Sequence, residues 1–174
     1  MRTARRTLVG LLCAGLVAVS CGREAPTAPA QSNDLLGGIL STASKTVGSL
    51  LQCKKLPAYA NAQVIGRAGG TLQVGPHTLT VPKGALSSDV LISGYAPSDN
   101  NRTVQFQPEG LQFAKPASLT MSYSGCSLVV GLLPRVAHVD DNLTILDYLL
   151  STNNIFAQTV TGQVAHFSGY ATAW

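Results

Sequence analysis

The stretch that most constrains the fold is Gly69 to Leu86, GGTLQVGPHTLTVPKGAL. Gly75-Pro76 reads as a two-residue hairpin loop of type II′. Gly supplies the positive φ at the first central position, and the fixed φ of Pro suits the second. The turn sets the register: Val74 faces His77, Gln73 faces Thr78, Leu72 faces Leu79, and Thr71 faces Thr80. Side chains on a strand alternate between faces. Leu72, Val74, Leu79 and Val81 therefore share one face, and Thr71, Gln73, Thr78 and Thr80 share the other. The turn and the apolar pattern point to the same pairing independently. His77 falls beside the turn on the apolar side and is expected as a rim histidine. Val81-Pro82-Lys83-Gly84 is expected to form a type I corner, with Pro second and Gly fourth.

The N-terminus carries an address. Arg2, Arg5 and Arg6 precede an apolar run, Leu8 to Val19, that is short for a membrane span. The run ends in Ala18-Val19-Ser20-Cys21-Gly22, which resembles a bacterial lipobox. Residues 1–20 are thus expected to be a lipoprotein signal peptide. Cys21 becomes the lipid-modified N-terminus of a protein held on the extracytoplasmic side of the cell envelope, on the outer membrane where there is one. Two acyl chains suffice for stable anchoring. Of the twelve Lys and Arg, three precede Cys21; the nine that remain stand against eight Asp and Glu, a net charge of +1. That balance gives no reason to expect a nucleic-acid partner.

Cys13 lies in the apolar run, which leaves Cys53 and Cys126 in a compartment that permits disulfides. We expect them to pair; the other reading is two free thiols. No CxxC or Cys/His cluster accompanies either, so neither a metal nor a cofactor is expected.

Residues 21–33 are Pro-, Ala-, Thr- and Ser-rich, the composition of a disordered tether. Within 34–52, Leu36, Leu40, Ala43, Val47 and Leu50 follow a 4-3-4-3 spacing that predicts a short amphipathic helix. It is expected to pack on the domain or on the membrane surface, being too short for a coiled-coil seam. From Cys53 to Trp174 the pattern is β. Pro57 to Ala62 reads as a loop, Val90 to Ala96 as a central strand, and Val104 to Gln107 and Leu119 to Tyr123 as alternating strands. Arg135 to Val139 and Leu143 to Leu150 follow as strands. Ser151 to Asn154 reads as a turn, Ile155 to Val160 as a strand, Gly162 as a turn, and Val164 to Trp174 as the last strand. Short strands separated by frequent turn signals predict one all-β domain, an antiparallel β-sandwich over residues 53–174.

Two motifs in order carry a family resemblance. The first is Gly69, Gly70 and Leu72 with Leu79, Val81, Pro82, Gly84 and Ala85. The second is Pro108, Gly110, Phe113, Lys115 and Pro116. Together they resemble the ZU-five domain, the module shared by zonula occludens proteins, netrin receptors and ankyrins. The resemblance covers about Ile65 to Cys126. It implies a β-sandwich that acts as a structural or protein-interaction module, here toward an envelope or extracellular protein or polymer. Some members of that family cut themselves at His-Phe-Ser, and this chain has His166-Phe167-Ser168. The resemblance implies that Ser168 Oγ attacks the Phe167 carbonyl in an N→O acyl shift, with His166 as general base, before water opens the ester. Against this stands a plain strand reading, in which His166 and Ser168 are surface groups and Phe167 fills the core.

Other chemistry is poorly supported. The chain has no G-x-S-x-G, H-E-x-x-H, Walker or dinucleotide-binding motif. Asp140-Asp141-Asn142 reads as an acidic turn rather than a calcium loop. The apolar run SLVVGLLP, Ser127 to Pro134, is either an exposed patch or a buried crossing between sheets.

Overall fold

The structure is a computed structural model and describes residues 49–174. The expected signal peptide, the tether and residues 34–48 of the expected helix lie outside these residues. The last residues of that helix segment are extended. Leu50 forms a β-bridge with Ala173, and the Leu51 N–H donates to Thr172 O at 3.0 Å.

Among the described residues, eleven strands make two antiparallel sheets. They are β1 (Tyr59–Ile65), β2 (Gly70–Val74), β3 (His77–Val81), β4 (Val90–Ala96), β5 (Thr103–Gln107), β6 (Gln112–Ser122), β7 (Arg135–Val139), β8 (Ile145–Tyr148), β9 (Ser151–Asn154), β10 (Thr159–His166) and β11 (Gly169–Ala173). One sheet has the order β1-β4-β5-β11-β7-β8 and the other β2-β3-β6-β10-β9. Between them lies one apolar core. Leu72, Val74, Leu79, Leu119, Met121 and Val164 come from the five-stranded sheet, and Ile92, Val104, Phe106, Val136 and Tyr170 from the six-stranded one.

The hairpin has the expected register at every pair from Thr71↔Thr80 to Val74↔His77, and Gly75 has φ of 57°. Leu72, Val74, Leu79 and Val81 are buried. Two details differ. The corner closes one residue later than expected: the Ala85 N–H donates to Pro82 O at 3.1 Å, with Gly84 third at φ 77°. That positive φ belongs to a type II turn, which needs Gly in the third place. His77 is not on the rim. It is 2% exposed, and its Nδ1 accepts the N–H of Ser122 on β6 at 3.3 Å.

Four strand expectations change for physical reasons. Tyr59 to Ala62 begins β1, paired with β4 from Tyr59↔Ala96 onward. Ser151 to Asn154 is β9, whose four polar residues sit on a sheet edge beside β10. Ile155 to Gln158 is the turn and Gly162 lies inside β10, the reverse of the expectation. A Cβ on Gly162 would stand 2.7 Å from Val136 Cβ, so this glycine lets the two sheets approach. Finally, Val164 to Trp174 is not one strand. β10 ends in the five-stranded sheet at His166 and β11 starts in the other at Gly169, so Phe167-Ser168 is the crossing between sheets.

The sandwich has two distinct ends. At the entry end the chain arrives beside its own C-terminus, where the Trp174 N–H donates to Ser49 O at 3.0 Å. Cys53 and Cys126 are joined there by a disulfide. Arg102 is buried beside it and donates to Lys54 O at 2.8 Å and to Ser124 O at 2.9 Å. The far end holds the crossing from β10 to β11.

Candidate functional site

The site begins with the crossing itself. Phe167 is 1% exposed, stacked on Phe106 and set edge-on to Phe113, with ring centroids 5.2 and 5.0 Å away. Its backbone is held on both sides. The Phe167 N–H donates to Leu111 O at 2.9 Å, and the Phe167 carbonyl accepts the Gly110 N–H at 3.0 Å. With its ring in the core and its peptide paired to the Pro108–Leu111 turn, Phe167 has little freedom. The next residue, Ser168, is directed by that anchor.

His138 of β7 reaches Ser168. Its Nε2 lies 2.8 Å from Ser168 Oγ. β7 alternates Val136 and His138 onto the inner face, and His138 is the register partner of Tyr170 on β11 and of Asp147 on β8. His166 comes from the opposite sheet. Its ring centroid lies 5.3 Å from that of His138, and its Nδ1 lies 3.4 Å from Phe167 O. A carbonyl oxygen only accepts, so Nδ1 is the donor in that contact. Tyr170 Oη donates to His166 O. Burial raises the Tyr170 phenol pKa, with Asp147 adding to the rise, which keeps it a protonated donor.

Phe167 and Ser168 form the crossing, and the two histidines stand on either side of it, His138 at the hydroxyl and His166 at the carbonyl. His138, which the sequence reading passed over, makes the hydrogen bond to the hydroxyl. His166, expected as the base, lies against the carbonyl. The reason is the crossing: with β10 and β11 in different sheets, His166 and Ser168 do not share one strand face. The signal for His138 was a polar residue on the apolar face of a short strand, in phase with Val136.

The pair opens onto a cleft of about 320 Å³ lined by His138, Ser168, Gln105, Gln107, Glu109 and Asp141. Asp140, also on its wall, is committed to the fold: its Oδ1 accepts the N–H groups of Asn142 and Thr144 at 2.9 and 2.8 Å. Among the described residues no three His, Cys, Asp or Glu side chains are grouped to hold a metal ion. No protein-family model matches the chain, and no curated protein matches it.

Proposed function

We propose that this chain is a lipid-anchored envelope β-sandwich whose chemistry is directed at its own backbone, between Phe167 and Ser168. The observation that carries this reading is the 2.8 Å contact of His138 Nε2 with Ser168 Oγ, next to a carbonyl already held by Gly110 N–H. In the reaction, His138 takes the hydroxyl proton as Oγ attacks the Phe167 carbonyl carbon. Gly110 N–H and His166 Nδ1–H stabilise the negative charge that develops on the carbonyl oxygen. The C–N bond breaks, the Ser168 nitrogen leaves as an amine with the proton, and an ester joins Phe167 to Oγ. Water then releases the Phe167 carboxylate.

Ser168 to Trp174 stays in place after the cut. β11 is paired with β5 on one side and β7 on the other, and Tyr170 to Ala173 are buried. The product is a two-chain sandwich of unchanged shape. Hydroxylamine tests the ester: it attacks the Phe167 carbonyl faster than water does and leaves a hydroxamate there. Accelerated cleavage with a C-terminal Phe167 hydroxamate supports the mechanism; no effect of hydroxylamine contradicts it.

A second reading is that the domain binds an envelope protein or polymer without chemistry, as the ZU-five resemblance implies. The outer face of β1 and β4 favours it, since Val64, Leu91 and Tyr95 are exposed together across paired strands. Capture of an envelope component by wild type and by Ser168→Ala alike, with loss in Leu91→Asp, separates this reading from the first.

A further inference from the structure

Among the described residues, most of the large exposed apolar side chains away from the β1–β4 face lie at the entry end, while Leu146 lines the far-end cleft. The Ser127–Pro134 segment forms an open loop, with Val130 fully exposed and Leu133 more than half exposed. The β9–β10 turn presents Phe156, almost fully exposed, and Ile155. Two hydrogen bonds fix both loops to this end. Asn153 Nδ2 donates to Pro134 O at 2.7 Å, and the Tyr123 N–H donates to Gln158 O at 2.9 Å. Lys54 and Lys55 are exposed on the same end, and the Lys54 N–H donates to Gly125 O at 2.9 Å beside the disulfide. The 48 residues outside the structure join at this end too, through Ser49.

We propose that the entry end docks on the lipid surface, with Val130, Leu133, Ile155 and Phe156 dipping into the interface and Lys54 and Lys55 meeting anionic headgroups. This orientation rests on the reading of Cys21 as a lipid anchor, because the anchored chain enters the sandwich at the end that carries these groups. Isolated apolar loops flanked by lysines gain from a membrane interface in two ways: burial of apolar area, and attraction to anionic lipid of about 1 kcal/mol per lysine. The two acyl chains expected on Cys21 suffice to hold the chain at the membrane, and a protein contact of this kind fixes how the sandwich is turned there. Docking by this end turns the Ser168 cleft, at the opposite end of β11, toward solvent.

The test separates docking from lipidation. The chain from residue 21 is made with Cys21→Ser, so that no acyl chain attaches, and is floated with vesicles. One set mixes phosphatidylethanolamine with phosphatidylglycerol; the other is phosphatidylcholine alone. The proposal expects flotation with the anionic vesicles. Val130→Asp with Phe156→Asp should lower the bound fraction at least about tenfold, and Lys54→Gln or Lys55→Gln should weaken binding about fivefold each, on anionic vesicles only. Leu91→Asp with Tyr95→Asp, exposed apolar residues on the outer sheet face, should leave binding unchanged. All variants should melt cooperatively, since none of these side chains is buried.

The proposal is overturned if the Cys21→Ser protein fails to float, or if the Leu91/Tyr95 pair weakens binding as much as the Val130/Phe156 pair. It is also overturned if sedimentation shows a dimer that the Val130/Phe156 pair dissolves, which makes the end a contact between copies. Acyl labelling of wild type at Cys21 tests the anchor independently. A protein that floats unacylated but takes no label keeps the docking surface and loses the anchor.

Discussion

At the entry end of the sandwich His77 is sealed beneath β6; at the far end His138 opens onto a cleft and holds a hydroxyl. Both imidazoles lie on the inner side of their sheets, so the face they occupy does not separate them. Their neighbours do. His77 accepts a backbone N–H and has the Arg102 cation nearby, and burial followed by that charge lowers its pKa to about 4. Such a histidine is held neutral and serves as a buried hydrogen-bond acceptor. His138 has the Ser168 hydroxyl at 2.8 Å, an open cleft beside it, and a carbonyl next to that hydroxyl paired to donors. The entry end also carries the disulfide and the Arg102 clasp. The comparison teaches that the covalent link and the buried cation lie where the chain enters, and that the chemistry proposed for Ser168 lies away from them.

Breaking the far end should have the largest effect. His138→Ala removes the base and should slow cleavage by about 10² to 10⁴-fold, read as the rate of appearance of the cut chain after a pH jump or on refolding. His166→Ala should slow it less, by no more than about 10²-fold, since its contact to the carbonyl is long at 3.4 Å. Neither change should alter the melting temperature as much as loss of the disulfide does. If His166→Ala proves the more damaging of the two, the roles assigned to the histidines are reversed.

The entry end is broken by chemistry of a different kind. Cys53→Ser with Cys126→Ser opens a loop spanning 73 residues and should cost up to about 4 kcal/mol in denaturant unfolding. The cleavage rate of the folded fraction should not change. A rate that falls with the disulfide would show that the two ends are coupled.

Next in size is the acid response of His77. Its folded pKa of about 4 lies below the ordinary 6.5, so the unfolded chain binds the proton more readily. Stability is therefore full above about pH 6.5 and is lost as pH falls toward 4, by on the order of 3 kcal/mol. His77→Asn should flatten that part of the stability curve while lowering stability at pH 7. Smallest is Gly162→Ala, which forces a methyl toward Val136 across the sheets and should cost about 1 to 3 kcal/mol. A stabilised Gly162→Ala protein would mean that the glycine serves no close approach.

Legibility in the sequence follows the range of the interactions. The β2–β3 hairpin could be read pair by pair because a two-residue turn and an alternating pattern act over a few residues. The pairing of Cys53 with Cys126 was accessible through compartment and elimination, without geometry. What failed were boundaries set by distant contacts. Gly162 looks like a turn until Val136 is seen packing against it from the other sheet, and Ser151 to Asn154 looks like a loop until β10 pairs with it. The site split in the same way. Phe167 and Ser168 are adjacent in the chain and could be named, whereas His138 reaches Ser168 across 30 positions by way of the β7–β11 ladder. The local motif names His166, while the crossing between sheets puts His138 within hydrogen-bond distance of the Ser168 hydroxyl. The run from Ser127 to Pro134 has the composition of either an exposed patch or a buried crossing, and Val130 stands in solvent.

The central claim is that Ser168 cuts the bond before it, and mass under denaturing conditions tests it most directly. β11 keeps its partners on both sides, so a native measurement would not distinguish cut from uncut protein. The account predicts that wild type, once denatured, gives two chains that end and begin at Phe167 and Ser168, with masses that sum to the intact chain plus one water. Ser168→Ala should give one uncut chain. A single intact mass for both proteins, after refolding and prolonged incubation, would contradict the account.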